Sequence, residues 1–129
     1  KKRDFWMPFA PVVRRERMQD YFQNPKNFRS PYMMLTFDTY PHNFRDLIAA
    51  VHNADLTARA QVIERHHNAE YYRILEMFEA RTGRGVLLNT SFNLHGYPVV
   101  KSAEDAMFVF NNSGLEYLAV GQYMVHKKV

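Results

Sequence analysis

Cysteine is absent from all 129 residues, which removes a disulfide framework, thiolate metal sites and a cysteine nucleophile together. Histidine is then the main nitrogen ligand left for a metal. No apolar run approaches the ~20 residues that span a bilayer. No charged n-region leads into an apolar h-region and cleavage site either, so a cytoplasmic location away from membranes is expected. Internal repeats and low-complexity tracts are also missing, which excludes solenoid arrays and compositional linkers.

What is present suits one ordinary core. A hydrophobic share of 47% over 129 residues predicts a single domain spanning residues 1–129. Ten Phe, eight Tyr and one Trp mean that rings supply much of the packing area. A net charge of +4 and an isoelectric point near 9.4 would suit an anionic ligand. The basic residues are dispersed with acids between them, which speaks against a stripe that tracks nucleic-acid phosphates. The chain opens on Lys1-Lys2-Arg3 without an initiator Met, and a piece of a longer polypeptide is expected.

Periodicity predicts elements of alternating type. Phe9 to Val13, interrupted by Pro11, reads as an edge strand or extended entry. Arg14 to Phe22 reads as a charged helix with Met18, Tyr21 and Phe22 inward. Pro25 to Pro31 is a loop, and Tyr32 to Phe37 has the ring content of a buried strand that Asp38 to His42 breaks. Asn43 to Val51 fits a short helix. Thr57 to Ile63 alternates as a strand, with Thr57, Arg59 and Gln61 on one side of the pleat. Asn68 caps a helix with Tyr71, Leu75 and Phe78 in a stripe and Gly83 as its stop. Val86 to Asn89 follows as a strand. Ser102 with Asp105 resembles a capping box, opening a helix that buries Ala106, Val109 and Phe110 and ends at Gly114. Glu116 to Val125 closes with one or two strands bent at Gly121. The expected class is α/β, a twisted mixed sheet with packed helices.

Chemistry concentrates just past the strand Val86 to Asn89, in Thr90-Ser91-Phe92-Asn93-Leu94-His95-Gly96. Small hydroxyl and amide side chains beyond a strand end can hold phosphate oxygens or a small planar group. A polar turn whose side chains cap their own backbone is the other reading of the same residues. Lys1 and Arg3 alternate and would point the same way from a strand, a seat for a polyphosphate or merely a solvated chain end. Arg59 is flanked by Thr57, Ala58 and Ala60, so little bulk would keep a ligand away. It is equally a surface strand arginine. The adjacent His66 and His67 would face apart in a strand, and the Glu64 to His66 spacing matches no specific site, so no metal is expected on this chain.

Four segments, taken together, resemble one family. KKRDFWMPFAP is similar to K-x-R-E-x-F/W-R-P-F-A-P, SPYMM to S-P-Y/F-M, ADLTARAQ to D-G-T-A-R-x-Q, and TGRGVLLNTSFNLHGYPV to T-G-x-P-V-L-L-N-T-S-F-N-x-x-G-x-P-I. These are the marks of the C-terminal domain of the carbamoyltransferases typified by nodulation protein U and the antibiotic O-carbamoyltransferases. The chain departs from the pattern at Met7 (Arg in the family), Asn53 (near its expected His), Leu56 (Gly) and Gly85 (Pro).

The resemblance implies a YrdC-like fold, here as an incomplete domain, with Lys1, Arg3, Ser91 and Asn93 on the family's K-x-R and S-x-N pairs. It implies that ATP, with magnesium, and carbamoyl phosphate give carbamoyl-adenylate and pyrophosphate. A separate N-terminal actin-like, metal-dependent domain of the same polypeptide would pass the carbamoyl group to a hydroxyl. Lys1, Arg3 and Arg59 are then expected at the phosphates, and Thr57, Thr90, Ser91 and Asn93 at the nucleotide or carbamoyl group. Two rivals are a threonylcarbamoyl-adenylate synthase, which the S-x-N pair does not separate from this activity, and a non-catalytic module for nucleic acid or a protein partner.

Overall fold

The computed structural model describes residues 6–128, so the expectations for Lys1 and Arg3 lie outside the described residues. The chain divides into two compact units, described here over residues 6–90 and 91–128. The first runs through β1 (Ala10–Arg14), a 3-10 turn at Arg15–Arg17, α1 (Met18–Tyr21), β2 (Phe37–Asp38), a 3-10 turn at Pro41–Asn43, α2 (Phe44–Leu47), β3 (Thr57–Ala58), β4 (Gln61–Ile63), α3 (Ala69–Thr82) and β5 (Val86–Asn89).

A mixed sheet in the order β4-β1-β5 organises this unit. β1 runs parallel to β4, with Val13 opposite Val62, and antiparallel to β5, with Val13 also opposite Val86. Alternation along the strands then gives the sheet two apolar faces. Val13, Val62 and Val86 pack with Met18, Phe22, Phe37 and Leu47. Val12, Ile63 and Leu87 pack with Tyr72 and Leu75 of α3. Each such side chain stabilises by about 1.5–3 kcal/mol when fully buried.

α3 forms where its sequence signals put it. Asn68 accepts the Tyr71 N–H at 2.9 Å, and Gly83 closes the helix with φ 73° and its N–H on Glu79. Its inner face is built on Tyr72 and Leu75, with Tyr71 and Phe78 half-buried beside them. Glu79 is gripped by Arg14 and by Arg17, whose Nε lies 2.9 Å away. Burial works against the Arg14 charge, but its bonds to Glu79 and Tyr72 outweigh that and raise its pKa.

Several sequence expectations are corrected. The Phe9 to Val13 segment is no edge: β1 is the central strand of its sheet. Pro11 is tolerated there because the β4 ladder begins only at Val12 and antiparallel pairs exchange N–H bonds only at alternate positions. The helix expected over Arg14 to Phe22 is reduced to a 3-10 turn and α1, since β1 extends to Arg14, yet Met18, Tyr21 and Phe22 are buried as expected. Tyr32 to Phe37 is not a buried strand. Met33 takes a left-handed φ of 56°, which breaks any pleat, and Tyr32 and Met34 are 73% and 82% exposed. Asn43 to Val51 shrinks to α2 and its leading turn. Thr57 to Ile63 divides into β3, paired with β2, and β4, paired with β1, although the outward set Thr57, Arg59, Gln61 still alternates with buried Ala58, Ala60 and Val62.

The second unit contains α4 (Ala103–Asn111), β6 (Tyr117–Val120) and β7 (Tyr123–His126). Ser102 caps α4 by accepting the Asp105 N–H at 3.1 Å, and Asp105 accepts the Lys101 N–H at 3.2 Å. The helix ends at Asn111, before Gly114, where Asn112 leaves helical dihedrals at φ −96° and ψ 17° and the Ser113 N–H turns onto the Phe110 carbonyl at 3.3 Å. β6 and β7 form an antiparallel hairpin that turns at Gly121, whose φ of 56° favours glycine. Ala106, Phe110 and Leu118 make its small core. Among the described residues no helix is long and apolar enough to cross a membrane.

Candidate functional site

Four of the segments that carry the family resemblance meet at one end of the mixed sheet, where β5 finishes and β1 and β4 begin. Asn89 pairs with Ala10 of the PFAP segment, and Phe9 donates its N–H to Ala49 at 2.8 Å. The SPYMM segment runs along the outer side of β4. The Val62 N–H donates to the Ser30 carbonyl at 2.8 Å, and the buried Ser30 hydroxyl donates to the Ala60 carbonyl at 2.9 Å.

Two amides then link the segments. Gln61 Nε2 donates to the Pro31 carbonyl at 2.9 Å, and Gln61 Oε1 accepts from Asn89 Nδ2 at 2.8 Å. Asn89 Nδ2 also lies 3.7 Å from Met33 Sδ. Neither Gln61 nor Asn89 stands out as a site residue in the sequence, because each reads as an ordinary position at a strand end. Their presence inside matched segments is the only signal that marks them.

Thr57 and Arg59 lie on the outward side of the neighbouring stretch. Asp55 Oδ1 accepts both the Thr57 N–H at 3.0 Å and its hydroxyl at 2.9 Å, with His52 Nδ1 3.3 Å away. Those bonds, the Thr57 N–H above all, hold the Asp55 carboxyl below its usual pKa. Arg59 is exposed and has no ion pair or hydrogen bond among the described residues. An exposed guanidinium of that kind can engage an anion without first giving up a carboxylate. Thr90 is exposed beyond the end of β5.

Ser91 and Asn93 belong to the second unit and are brought together there. The Ser91 hydroxyl donates to Asn93 Oδ1 at 2.8 Å, and Asn93 Nδ2 donates to the Tyr97 carbonyl at 2.7 Å. The turn itself is closed by the Tyr97 N–H on the Leu94 carbonyl at 3.0 Å, with Gly96 at φ 83° as such turns require. The pair is thus ordered by contact across a bend, the polar turn that was the second of the two readings of these residues.

His66 and His67 occupy a turn, and instead of facing apart their rings lie 4.1 Å from one another. His67 Nδ1 accepts the Glu64 N–H at 3.0 Å, which commits that nitrogen to the backbone. Among the described residues no group of three or more His, Asp or Glu is arranged to hold a metal ion.

Comparison with known proteins places all four segments within one family match. The family model described as carbamoyltransferase C-terminus matches residues 1–127. The nodulation protein NolNO of Sinorhizobium fredii is 37% identical over 99% of the chain and 19% of its own length. The nodulation protein NolO of Bradyrhizobium diazoefficiens is 34% identical over 99% of the chain and 23% of its length. A 3'-hydroxymethylcephem-O-carbamoyltransferase of Amycolatopsis lactamdurans is 32% identical over 94% of the chain and 22% of its length. The chain spans about a fifth of the length of these relatives. With the family model matching residues 1–127 and its marker segments joined at one sheet end, the chain belongs to the carbamoyltransferase C-terminus family.

Proposed function

We propose that this chain supplies the adenylate-forming part of an O-carbamoyltransferase, as an incomplete YrdC-like domain. Carbamoyl phosphate and water give carbamate and inorganic phosphate. A carbamate oxygen attacks the α-phosphorus of ATP, the bond from that phosphorus to the bridging oxygen of the β-phosphate breaks, and pyrophosphate leaves. Carbamoyl-adenylate is the product. An upstream actin-like, metal-dependent domain would then pass the carbamoyl group to a hydroxyl, and one relative is named for such an acceptor, a hydroxymethyl cephem.

This chemistry asks for charge stabilisation more than for a protein nucleophile. Lys1, Arg3 and Arg59 take the phosphates, with magnesium arriving on ATP. Thr57, Thr90, Ser91 and Asn93 orient the nucleotide or the carbamoyl group. The observation that carries the reading is the meeting of the PFAP, SPYMM, TARAQ and LLN segments at one sheet end, beside an exposed Arg59 with no carboxylate partner among the described residues.

The test uses a full-length carbamoyltransferase with this chain as its C-terminal part. Combined Ser91→Ala and Asn93→Ala substitution is expected to lower carbamoyl phosphate-dependent ATP–pyrophosphate exchange by about a hundredfold, the scale of lost transition-state donors. An unchanged rate overturns the assignment of these two residues. Exchange stimulated by threonine in place of carbamoyl phosphate overturns the choice of reaction.

A further inference from the structure

The two amides at the sheet end form a relay whose polarity is fixed by the backbone. A proline carbonyl can only accept, so Gln61 must turn Nε2 toward Pro31, at 2.9 Å, and Oε1 toward Asn89. Asn89 must therefore present Nδ2 to Gln61, at 2.8 Å. Reversing either amide would set oxygen against oxygen. Asn89 Oδ1 is left as the outward atom. It accepts no hydrogen bond among the described residues and is not sealed off from solvent. The amide is also anchored, because the Asn89 backbone is held in the β1–β5 ladder opposite Ala10.

An outward carbonyl oxygen with fixed polarity selects for a donor. We infer that Asn89 reads the NH2 of the carbamoyl group through Oδ1, with Gln61 as its positioning residue. This rests on the function proposed above and adds what the site distinguishes. A carbamoyl group presents a planar NH2, whereas an acetyl group of the same shape presents a methyl that cannot donate. Arg59, two residues before Gln61 and exposed on the same outward set, supplies positive charge for the anionic end of the same small substrate.

The experiment measures, in a full-length carbamoyltransferase ending in this chain, the KM for carbamoyl phosphate, the KM for ATP and the inhibition constant of acetyl phosphate. Asn89→Leu is expected to raise the KM for carbamoyl phosphate by about tenfold, the cost of an unmet donor, while the acetyl phosphate constant and the KM for ATP stay within about twofold. Gln61→Leu, which frees the Asn89 amide to rotate, should give a smaller loss of the same selectivity. If Asn89→Leu fails to fold, the Gln61→Leu selectivity ratio carries the test alone. An equal rise in both phosphate constants, or an unchanged ratio in a folded variant, overturns the inference while leaving the reaction class standing. No carbamoyl phosphate-dependent exchange in the unsubstituted enzyme overturns the proposed function and this inference with it.

Discussion

Leu56 shows how one residue can be misfitted to its backbone, at the place where the D-G-T-A-R pattern that the segment resembles has glycine. Its φ of 57° puts a branched side chain in the left-handed region, at a cost of about 1–2 kcal/mol. The conformation is held from both sides, by its own N–H on His52 at 2.9 Å and by the Thr39 N–H on its carbonyl at 3.1 Å. Leu56→Gly should therefore raise stability by about 0.5–1 kcal/mol after allowing for the extra freedom of glycine when unfolded, read from urea denaturation midpoints. Leu56→Val should lower it. Next door, the bonds from Thr57 depress the Asp55 pKa, so their contribution is complete above the ordinary carboxylate value and is lost as pH falls through the lower folded value. The Asp55 carboxyl resonance should titrate below 3.8, and Thr57→Val should move it part of the way back, because the backbone N–H bond survives. The sequence marked Leu56 as a departure; it did not show that the position is left-handed, since the turn onto His52 is held by Thr39, a partner remote in sequence that no local pattern encodes.

Among the elements, helices with capped ends and strands set between turn signals were readable, as β5, β6 and β7 show, and strands defined by a distant partner were not. Asn68, Gly83 and Ser102 announce α3 and α4 because a cap is local chemistry between residues three or four apart. β5 was legible to the residue as a compact apolar run between Gly85 and a polar turn. The rings of Tyr32 to Phe37 misled because burial of a strand depends on a pairing partner, which only Phe37 and Asp38 find, on β3. Pro11 misled because its tolerance in β1 depends on where the parallel ladder starts. The site followed the same division. Thr57, Arg59, Ser91 and Asn93 were named from their segments, whereas the Pro31–Gln61–Asn89 relay joins residues far apart in sequence. At the same scale, Glu79 fastens α3 to the end of β1 through Arg14 and Arg17. Glu79→Gln should cost about 1–3 kcal/mol, since both guanidinium groups lose a charge-assisted partner in a largely buried place, and the loss should show in a lowered thermal midpoint.

Across the whole chain, stability is expected to be uneven. The first unit holds two clusters on either side of its sheet, while the second has three buried hydrophobics at its centre. Amide hydrogens of α4, β6 and β7 should accordingly exchange before those of β1 and α3, as followed by mass spectrometry under native conditions. One consequence concerns solubility. Among the described residues β5 pairs with β1 alone, so its far side offers a row of outward N–H and C=O groups, and Leu88 is 48% exposed beside them. The far side of β4, by contrast, is capped by the Ser30 contacts. An edge left unpaired in this way among the described residues is a template for a strand from a neighbouring molecule, so the isolated chain should associate edge to edge as concentration rises, and Leu88→Lys, which replaces exposed apolar surface beside that row with a charge, should keep it dispersed.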